Sequence, residues 1–181
     1  MKQKFFSRWF AIGMIATALV MSCSKDNKDE PTLNNVVMID GQTRSILSAE
    51  ITKDDLDKKN YYIGIFWAEG EYIEIFADYE NHDGKVIDLT KKEPEREGWY
   101  WGVRYHKSKE IIFNADADPT ESYPVFQSGT LYLKRLADAD EQPVFEIELK
   151  NGKVKGEGKY GDGKEHTINF HYKGKLELVE L

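Results

Sequence analysis

The sequence predicts an all-β domain, built either as an antiparallel two-sheet sandwich or as a strongly bent, lipocalin-like barrel of about 8–11 short strands. From Val36 onward, no stretch of about a dozen residues repeats its apolar side chains with the period of a helix. Apolar and polar residues instead alternate in short segments, which turn residues separate up to the carboxyl end. Both architectures consist of such strands, so the choice between them stays open.

The first predicted strands form a hairpin. Residues 36–39 and 42–46 flank Asp40-Gly41, a pair that readily adopts the positive φ angles of a type I′ turn. We expect residues 48–52 to continue the second strand and residues 53–59 to form a short helical turn.

The middle of the chain supplies the central strands. Residues 61–68 are apolar on both faces, which is typical of a central strand. Gly70 turns the chain into a strand at 72–79, and residues 81–84 form a turn before a short edge strand at 85–89. The alternation in residues 99–106 predicts a strand with one buried face and one partly solvated face.

The remaining predicted strands lie on both sides of a loop at 116–124, and the last third of the chain forms a meander. All five prolines lie outside the predicted strand interiors, which supports the boundaries because proline cannot donate to a β-ladder. Acidic residues at alternate positions, such as Glu74, Asp78 and Glu80, are expected on a solvated face. These later strands are residues 111–114, 125–136, 144–150, 153–160, 166–172 and 176–179, with turns at Asn151-Gly152 and at 161–163.

Composition limits the partners and the chemistry. The 181 residues include 32 acidic and 25 basic side chains, a formal charge of -7, which argues against nucleic acid as a partner. The single cysteine, Cys23, excludes an internal disulfide and a thiolate zinc site. The histidines form no HxH or HExxH motif, and GxSxG does not occur. We therefore expect no metal ion, no other cofactor and no catalytic site.

Residues 1–22 have the layout of a secretory signal peptide, with a basic start, an apolar run from Trp9 to Met21, and small Ser22 before Cys23. As a helix this run spans only about 20 Å, whereas the hydrocarbon core of a bilayer is about 30 Å thick. We therefore expect the segment to be removed from the mature protein.

The residues Val20-Met21-Ser22-Cys23 resemble a bacterial lipobox, from which Met21 departs because that position is more often small. The resemblance implies that Cys23 is diacylated, becomes the first residue after cleavage by signal peptidase II, and is then N-acylated. Two or more acyl chains anchor a protein stably, so the lipid bilayer is a predicted partner. Ordinary signal-peptide cleavage that leaves a free thiol is the alternative.

Residues 23–35 are predicted to be the lipidated cysteine and a flexible tether, because residues 24–31 are largely charged and contain no apolar side chain. This stretch also resembles the acidic signals of surface-exposed lipoproteins of Bacteroidetes. The resemblance implies a lipid-anchored location on the outer membrane, exposed at the cell surface, whereas a plain solvated spacer is the alternative. Residues 36–181 are predicted to form a single β domain.

The carboxyl-terminal part adds a second, looser resemblance. About a third of the chain resembles the carboxyl-terminal halves of small uncharacterised all-β lipoproteins of Bacteroidetes. The matching positions include residues 128–131, residues 145–149, Gly156, Gly158 and Tyr160. The resemblance implies a β domain at a cell surface, and it carries no catalytic residues to transfer.

Two predicted strands combine glycine with aromatic residues, which suggests a ligand-binding surface. Gly64 lies between two aromatic residues of one strand, and Gly102 lies within the 99–106 strand. Such a surface can stack a sugar or hold an apolar ligand if the two strands are neighbours. The alternative is that glycine relieves crowding where sheets cross. The candidate binding residues are Tyr62, Phe66, Tyr100, Arg104 and His106.

The sequence therefore favours a non-catalytic, surface-tethered β domain that binds an extracellular glycan or an envelope protein. A lipocalin-like carrier with a small apolar ligand inside a barrel is the second hypothesis. A hydrolase with paired carboxylates is the third, because a chain with 32 acidic residues permits many such pairs.

Overall fold

The computed structural model describes residues 35–139 and 142–180, and the strands in these ranges form two six-stranded sheets. In chain order the strands are β1 (Val36–Ile39), β2 (Gln42–Ser45), β3 (Ser48–Thr52), β4 (Asn60–Ala68), β5 (Glu71–Asp78), β6 (Val86–Asp88), β7 (Gly102–Lys107), β8 (Glu110–Asp116), β9 (Ser128–Ala139), β10 (Gln142–Lys155), β11 (Glu165–Lys175) and β12 (Glu177–Val179).

Helical structure in the described ranges is limited to short pieces. These are α1 (Lys53–Asp57), α2 (Tyr79–His82) and a 3₁₀ turn at Gly158–Tyr160. The helical turn expected near residue 53 is thus confirmed. In residues 35–139 and 142–180, no helix combines the length and the apolar character that crossing a bilayer requires.

The two sheets remain open, which confirms the all-β sandwich and not the barrel. The first sheet has the strand order β2-β1-β11-β10-β9-β6, and the second has the order β12-β3-β4-β5-β7-β8. Neighbouring strands are antiparallel except for β12, which pairs in parallel with β3. This parallel pair departs from the predicted antiparallel pattern. β12 follows β11 of the first sheet, so no tight hairpin joins it to β3, and a tight hairpin is the connection that would impose the antiparallel direction.

The first hairpin forms as predicted, but the segment after it does not. Asp40 and Gly41 have φ angles of 50° and 76°, as a type I′ turn requires. Ser48–Thr52 was expected to extend β2, yet it is β3 of the other sheet. The chain changes sheets at Leu47, whose N–H donates to the carbonyl of Phe66 at 2.8 Å.

Two other boundaries differ from the prediction. The strand expected from residue 99 begins at Gly102, because residues 99–101 belong to the segment that joins β6 and β7. Asn151-Gly152 is no turn but lies within β10, where the register shifts after Leu149 and Asn151 has a φ of 53°. A β-bulge and a hairpin turn both need a residue with a positive φ angle, so the Asn-Gly pair is compatible with either structure. Pro143, expected outside the strands, is the second residue of β10.

The space between the sheets is filled by one cluster of apolar side chains. Alternate residues along each strand point into this cluster, as the period-two pattern predicts. The interior that a lipocalin-like carrier needs for its ligand is thus occupied by side chains, which argues against that hypothesis. The six largest fully buried side chains are Trp101, Tyr61, Phe113, Phe126, Phe145 and Phe170.

Candidate functional site

The two outer surfaces of the sandwich differ in chemistry. The first sheet carries ion pairs on its outside, such as Glu146 with Lys173 at 3.2 Å and Glu148 with Lys150 at 3.0 Å. The second sheet instead carries half-buried aromatic side chains on strands β4 and β5. An ion-paired surface is typical of the solvated side of a sheet, whereas a contiguous, partly exposed aromatic surface points to a ligand or a partner. We call the outer side of β4, β5 and β7 the aromatic face; it carries Tyr62, Phe66, Tyr72, Phe76, Glu74, Arg104 and His106.

Strand register arranges these side chains in rows across the three strands. Phe66 lies opposite Tyr72, which lies opposite His106. The ring centroids of Phe66 and Tyr72 are 5.0 Å apart, and those of Tyr72 and His106 are 4.6 Å apart with an 8° angle between the planes. The three rings therefore form one stacked row, which restricts each ring to a narrow range of orientations.

A second aromatic row runs four residues away along the strands. Tyr62 lies opposite Phe76, and their ring centroids are 4.7 Å apart. The guanidinium carbon of Arg104 lies 5.1 Å from the centroid of Phe76, within cation–π distance. Trp99 extends the row, with its ring centroid 6.1 Å from that of Phe76.

Glu74 lies between the two rows and joins all three strands. The residue is only 8% exposed. Oε1 accepts a hydrogen bond from the Tyr62 hydroxyl at 2.8 Å, and Oε2 accepts from Arg104 at 3.1 Å and from His106 Nε2 at 3.0 Å. A buried carboxylate is stable only with such compensation. The expectation that Glu74 is solvated is therefore wrong.

The tyrosine hydroxyl that contacts Glu74 remains a hydrogen-bond donor. Burial, followed by the hydrogen bond to Glu74 and its charge, raises the pKa of Tyr62 well above its ordinary value. Burial and the charge of Glu74 also raise the pKa of Tyr72. Both phenols therefore stay neutral throughout the physiological pH range.

A depression of about 280 Å³ lies over Gly64 on this face. A Cβ atom at Gly64 would lie 2.8 Å from Phe66 Cε2, because the Phe66 ring occupies that space. At Gly102 a Cβ atom would similarly lie 3.1 Å from Phe76 Cδ2. Each glycine thus makes room for a ring on its own sheet. The residues that line the depression are Glu50, Thr52, Tyr62, Gly64, Phe66, Tyr72, Glu74 and Val179.

The structure brings together four of the five predicted binding residues. Tyr62 and Phe66 lie on β4, and Arg104 and His106 lie on β7 of the same face. The two strands are nevertheless not neighbours, because β5 lies between them. The predicted direct contact between β4 and β7 is therefore wrong, and their side chains meet only through those of β5. Sequence analysis missed the β5 contribution, although the alternation of Tyr72, Glu74 and Phe76 was a signal for it.

Tyr100, the fifth predicted residue, lies elsewhere. Its hydroxyl donates to the carbonyl of Arg96 and accepts from the N–H of Arg96, both at 3.0 Å. The Arg96 guanidinium also lies 5.0 Å from the Tyr100 ring centroid. Tyr100 therefore holds the segment before β7 in place and does not contribute to the stacked rows.

Arg96 is the centre of an ion-pair network in that segment. It contacts Asp78 Oδ2 at 2.8 Å and Glu93 Oε2 at 2.9 Å, and buried His82 contacts Glu93 Oε1 through Nε2 at 2.7 Å. The N–H of Asp78 donates to His82 Nδ1 at 2.9 Å, so Nε2 carries the ring proton in the neutral form. This network connects the end of β5 to the segment that places Trp99 beside Phe76.

A larger cavity of about 500 Å³ lies near α1 and the end of β9. Among its polar side chains, Arg135 pairs with Asp138 at 2.7 Å and the Tyr61 hydroxyl donates to Asp83 at 3.0 Å, so these groups do not converge on one position. The aromatic face is the better candidate because its polar groups converge on one position between stacked rings.

Several predicted features lie outside the described residues, namely the signal peptide at 1–22, Cys23 with its lipobox, and the tether up to residue 34. In the described ranges 35–139 and 142–180, no three or more His, Cys, Asp or Glu side chains are arranged to hold a metal ion.

Fold and site together define a β-sandwich protein with one aromatic outer face. No family model, curated protein or solved structure matches the chain. The function therefore has to be inferred from the chemistry of its own residues.

Proposed function

We propose that this protein is a lipid-anchored, non-catalytic binding module that recognises a glycan through the aromatic face. The observation that carries the proposal is the position of Glu74 between two aromatic rows, with Arg104 and His106 bound to its carboxylate. Under this proposal acylated Cys23 holds the domain on the outer membrane, with the aromatic face available outside the cytosol.

The arrangement suits a sugar because sugar rings have apolar C–H faces and polar hydroxyl edges. Half-exposed rings at the ends of the two rows, Tyr62 and Phe66, offer flat apolar surface that is ordered before binding. Preordered rings lose little conformational entropy when a ligand stacks on them. Tyr62, Glu74 and His106 supply donors and acceptors beside this surface.

A glycan fits the depression better than a folded protein does. A volume of about 280 Å³ suits one or two sugar rings, and protein interfaces are normally broader and flatter. The hydrogen bonds from Tyr62, Arg104 and His106 hold Glu74 in one position, which suits a carboxylate that orders a binding surface.

A glycan array with the purified mature protein tests the proposal. We expect Phe66→Ala and Tyr72→Ala to weaken binding to an array hit at least about 10-fold, since each substitution removes a stacking ring. Tyr132→Ala, on β9 of the other sheet, is the matched control and should leave binding unchanged. Absence of any bound glycan, or equal losses for all three variants, would refute the proposal. Capture of an envelope protein by this face would support the alternative partner.

The proposed anchor has its own test. Mass spectrometry should find an acylated Cys23 at the amino terminus of the mature protein, and Cys23→Ser should prevent membrane retention. Protease treatment of intact cells should remove the domain if it faces outward. An unmodified thiol, or residues 1–22 still attached, would rule out the anchor.

A further inference from the structure

The depression over Gly64 is acidic as well as aromatic. Among its eight lining residues are two carboxylates, Glu50 and Glu74, and no basic side chain. Glu50 and Glu74 both lie opposite Gly64, one on each neighbouring strand. They therefore approach a ligand above Gly64 from two sides.

The two carboxylates differ in how far they are neutralised. Glu74 is paired with Arg104 at 3.1 Å. Glu50 forms no ion pair within 4.0 Å in the described part of the chain, and its strand partner across β3 and β12 is another acid, Glu177. Burial and then the charge of Glu177 raise the pKa of Glu50, which shows that its negative charge is poorly compensated.

The rings around the depression favour the same kind of ligand. Tyr62 and Phe66 are the end rings of their rows, and the face that each turns away from its stacked neighbour carries the negative part of the aromatic quadrupole, which attracts cations. A neutral sugar would cover Glu50 without neutralising it, and an acidic sugar would be repelled. A protonated amine removes both penalties at once, because it balances the carboxylate and contacts the ring faces.

We infer that the depression over Gly64 selects a glycan that carries a protonated amino group, with the ammonium placed between Glu50 and the rings of Tyr62 and Phe66. This inference rests on the proposed function, since it names the substrate class of the same face. The recognised unit is a hexosamine with a free amine, whose hydroxyl groups donate to Glu74 at the edge of the depression.

Calorimetric titration of the full mature protein in about 0.15 M salt tests the inference, because this salt screens long-range attraction. The probes are a glucosamine oligosaccharide and its fully N-acetylated counterpart of the same length and linkage. We expect the free amine to bind roughly 5-fold tighter or better, and Glu50→Gln to remove this preference while leaving the affinity for the acetylated probe unchanged.

A control is needed because an acidic protein attracts any cationic oligosaccharide. Glu148→Gln removes one carboxylate from the outside of the first sheet and should leave the preference intact. If Glu148→Gln and Glu50→Gln weaken binding equally, general charge attraction explains the result and the inference fails.

The remaining outcomes separate the inference from the proposed function. Equal binding of both probes, unaffected by Glu50→Gln but lost in Phe66→Ala, overturns the amine preference and leaves glycan binding standing. If neither probe binds while the array yields a neutral glycan, only the inference is lost. If no glycan binds at all, the proposed function fails with it.

Discussion

Asp40 and His166 lie 126 positions apart in the chain, yet Asp40 Oδ2 and His166 Nδ1 are 2.9 Å apart. The other ring nitrogen, Nε2, lies 3.1 Å from Asp162 Oδ1. His166 is only 8% exposed, whereas the Asp40 side chain is 47% exposed. One imidazole thus connects the β1–β2 hairpin turn with the segment before β11, and both of its nitrogens face carboxylates.

This geometry predicts pH-dependent stability. Burial alone would lower the pKa of His166, but the hydrogen bonds and charges of Asp40 and Asp162 raise it above its value in the unfolded chain. Because the pKa of His166 is higher in the folded protein, protonated His166 stabilises the fold. This contribution is fully present below about pH 6.5 and is lost as the pH rises through the pKa of the folded state. The free energy of unfolding is measured with denaturant at pH 6 and at pH 9. Between these pH values it should fall by up to about 1 kcal/mol more in wild type than in His166→Asn.

The matched control for this prediction is His171→Asn. His171 is half-buried on the outside of β11, with Nε2 3.4 Å from a single carboxylate, that of Glu146. This variant should retain the pH dependence of wild type. A His166→Asn protein with the same pH dependence as wild type would contradict the linkage. Measurements stay above about pH 5.5, because Asp162, whose pKa is lowered, contributes in the acidic range.

Two glycines permit a close backbone contact. A Cβ atom at Gly156 would lie 2.3 Å from the Ile112 carbonyl oxygen, and one at Gly161 would lie 2.4 Å from Gly156 Cα. Because backbone atoms cannot move aside easily, Gly156→Ala and Gly161→Ala should each reduce the free energy of unfolding by about 1–3 kcal/mol or more. Gly158→Ala is the control: nothing lies within 4 Å of its Cβ position, and its φ of 55° costs about 1 kcal/mol. Equal losses for all three variants would disprove the packing argument.

Gly64→Ala should disturb the aromatic face with little effect on stability. The new methyl group would meet the far end of the Phe66 ring, which can rotate, so we expect a loss below about 1 kcal/mol. The displaced ring should lose its stacking on Tyr72, visible as changed ring-proton NMR shifts, and glycan affinity should fall. Thr43→Ala, an exposed change on β2 of the first sheet, serves as the control and should leave the shifts of both rings in place. Unchanged Phe66 shifts in Gly64→Ala would contradict the proposed role of this glycine.

Arg96→Lys should weaken the segment before β7. Lysine keeps the charge but cannot contact Asp78 and Glu93 with the planar fork of arginine. Since the side chains of Arg96, Asp78 and Glu93 are mostly buried, we expect the free energy of unfolding to fall by about 2–3 kcal/mol. Proteolysis within residues 89–101 should also become faster. Arg135→Lys, whose pair with Asp138 is more exposed, should cost under about 1 kcal/mol. Similar losses for both variants would show that the network around Arg96 adds nothing specific.

Local pattern predicted much of this fold because the side-chain period of a strand is a property of neighbouring residues. Alternation correctly placed Tyr62 and Phe66 on one face, and Asp40-Gly41 correctly located a hairpin. The same local information failed at Asn151-Gly152, where a bulge and a turn need similar backbone angles. It also failed at Glu74, because an acid at an alternate position gives no sign of the cations opposite it.

The amino-acid sequence alone determined the β character, the hairpin, the proposed lipidation at Cys23 and the aromatic content of two separated strands. Only the tertiary structure decided that β3 leaves the sheet of β2 and that β5 lies between β4 and β7. It also decided that Glu74 connects the aromatic rows. The physical reason is that strand pairing depends on contacts between residues far apart in the chain, whose combined burial outweighs the entropy of closing the intervening loops.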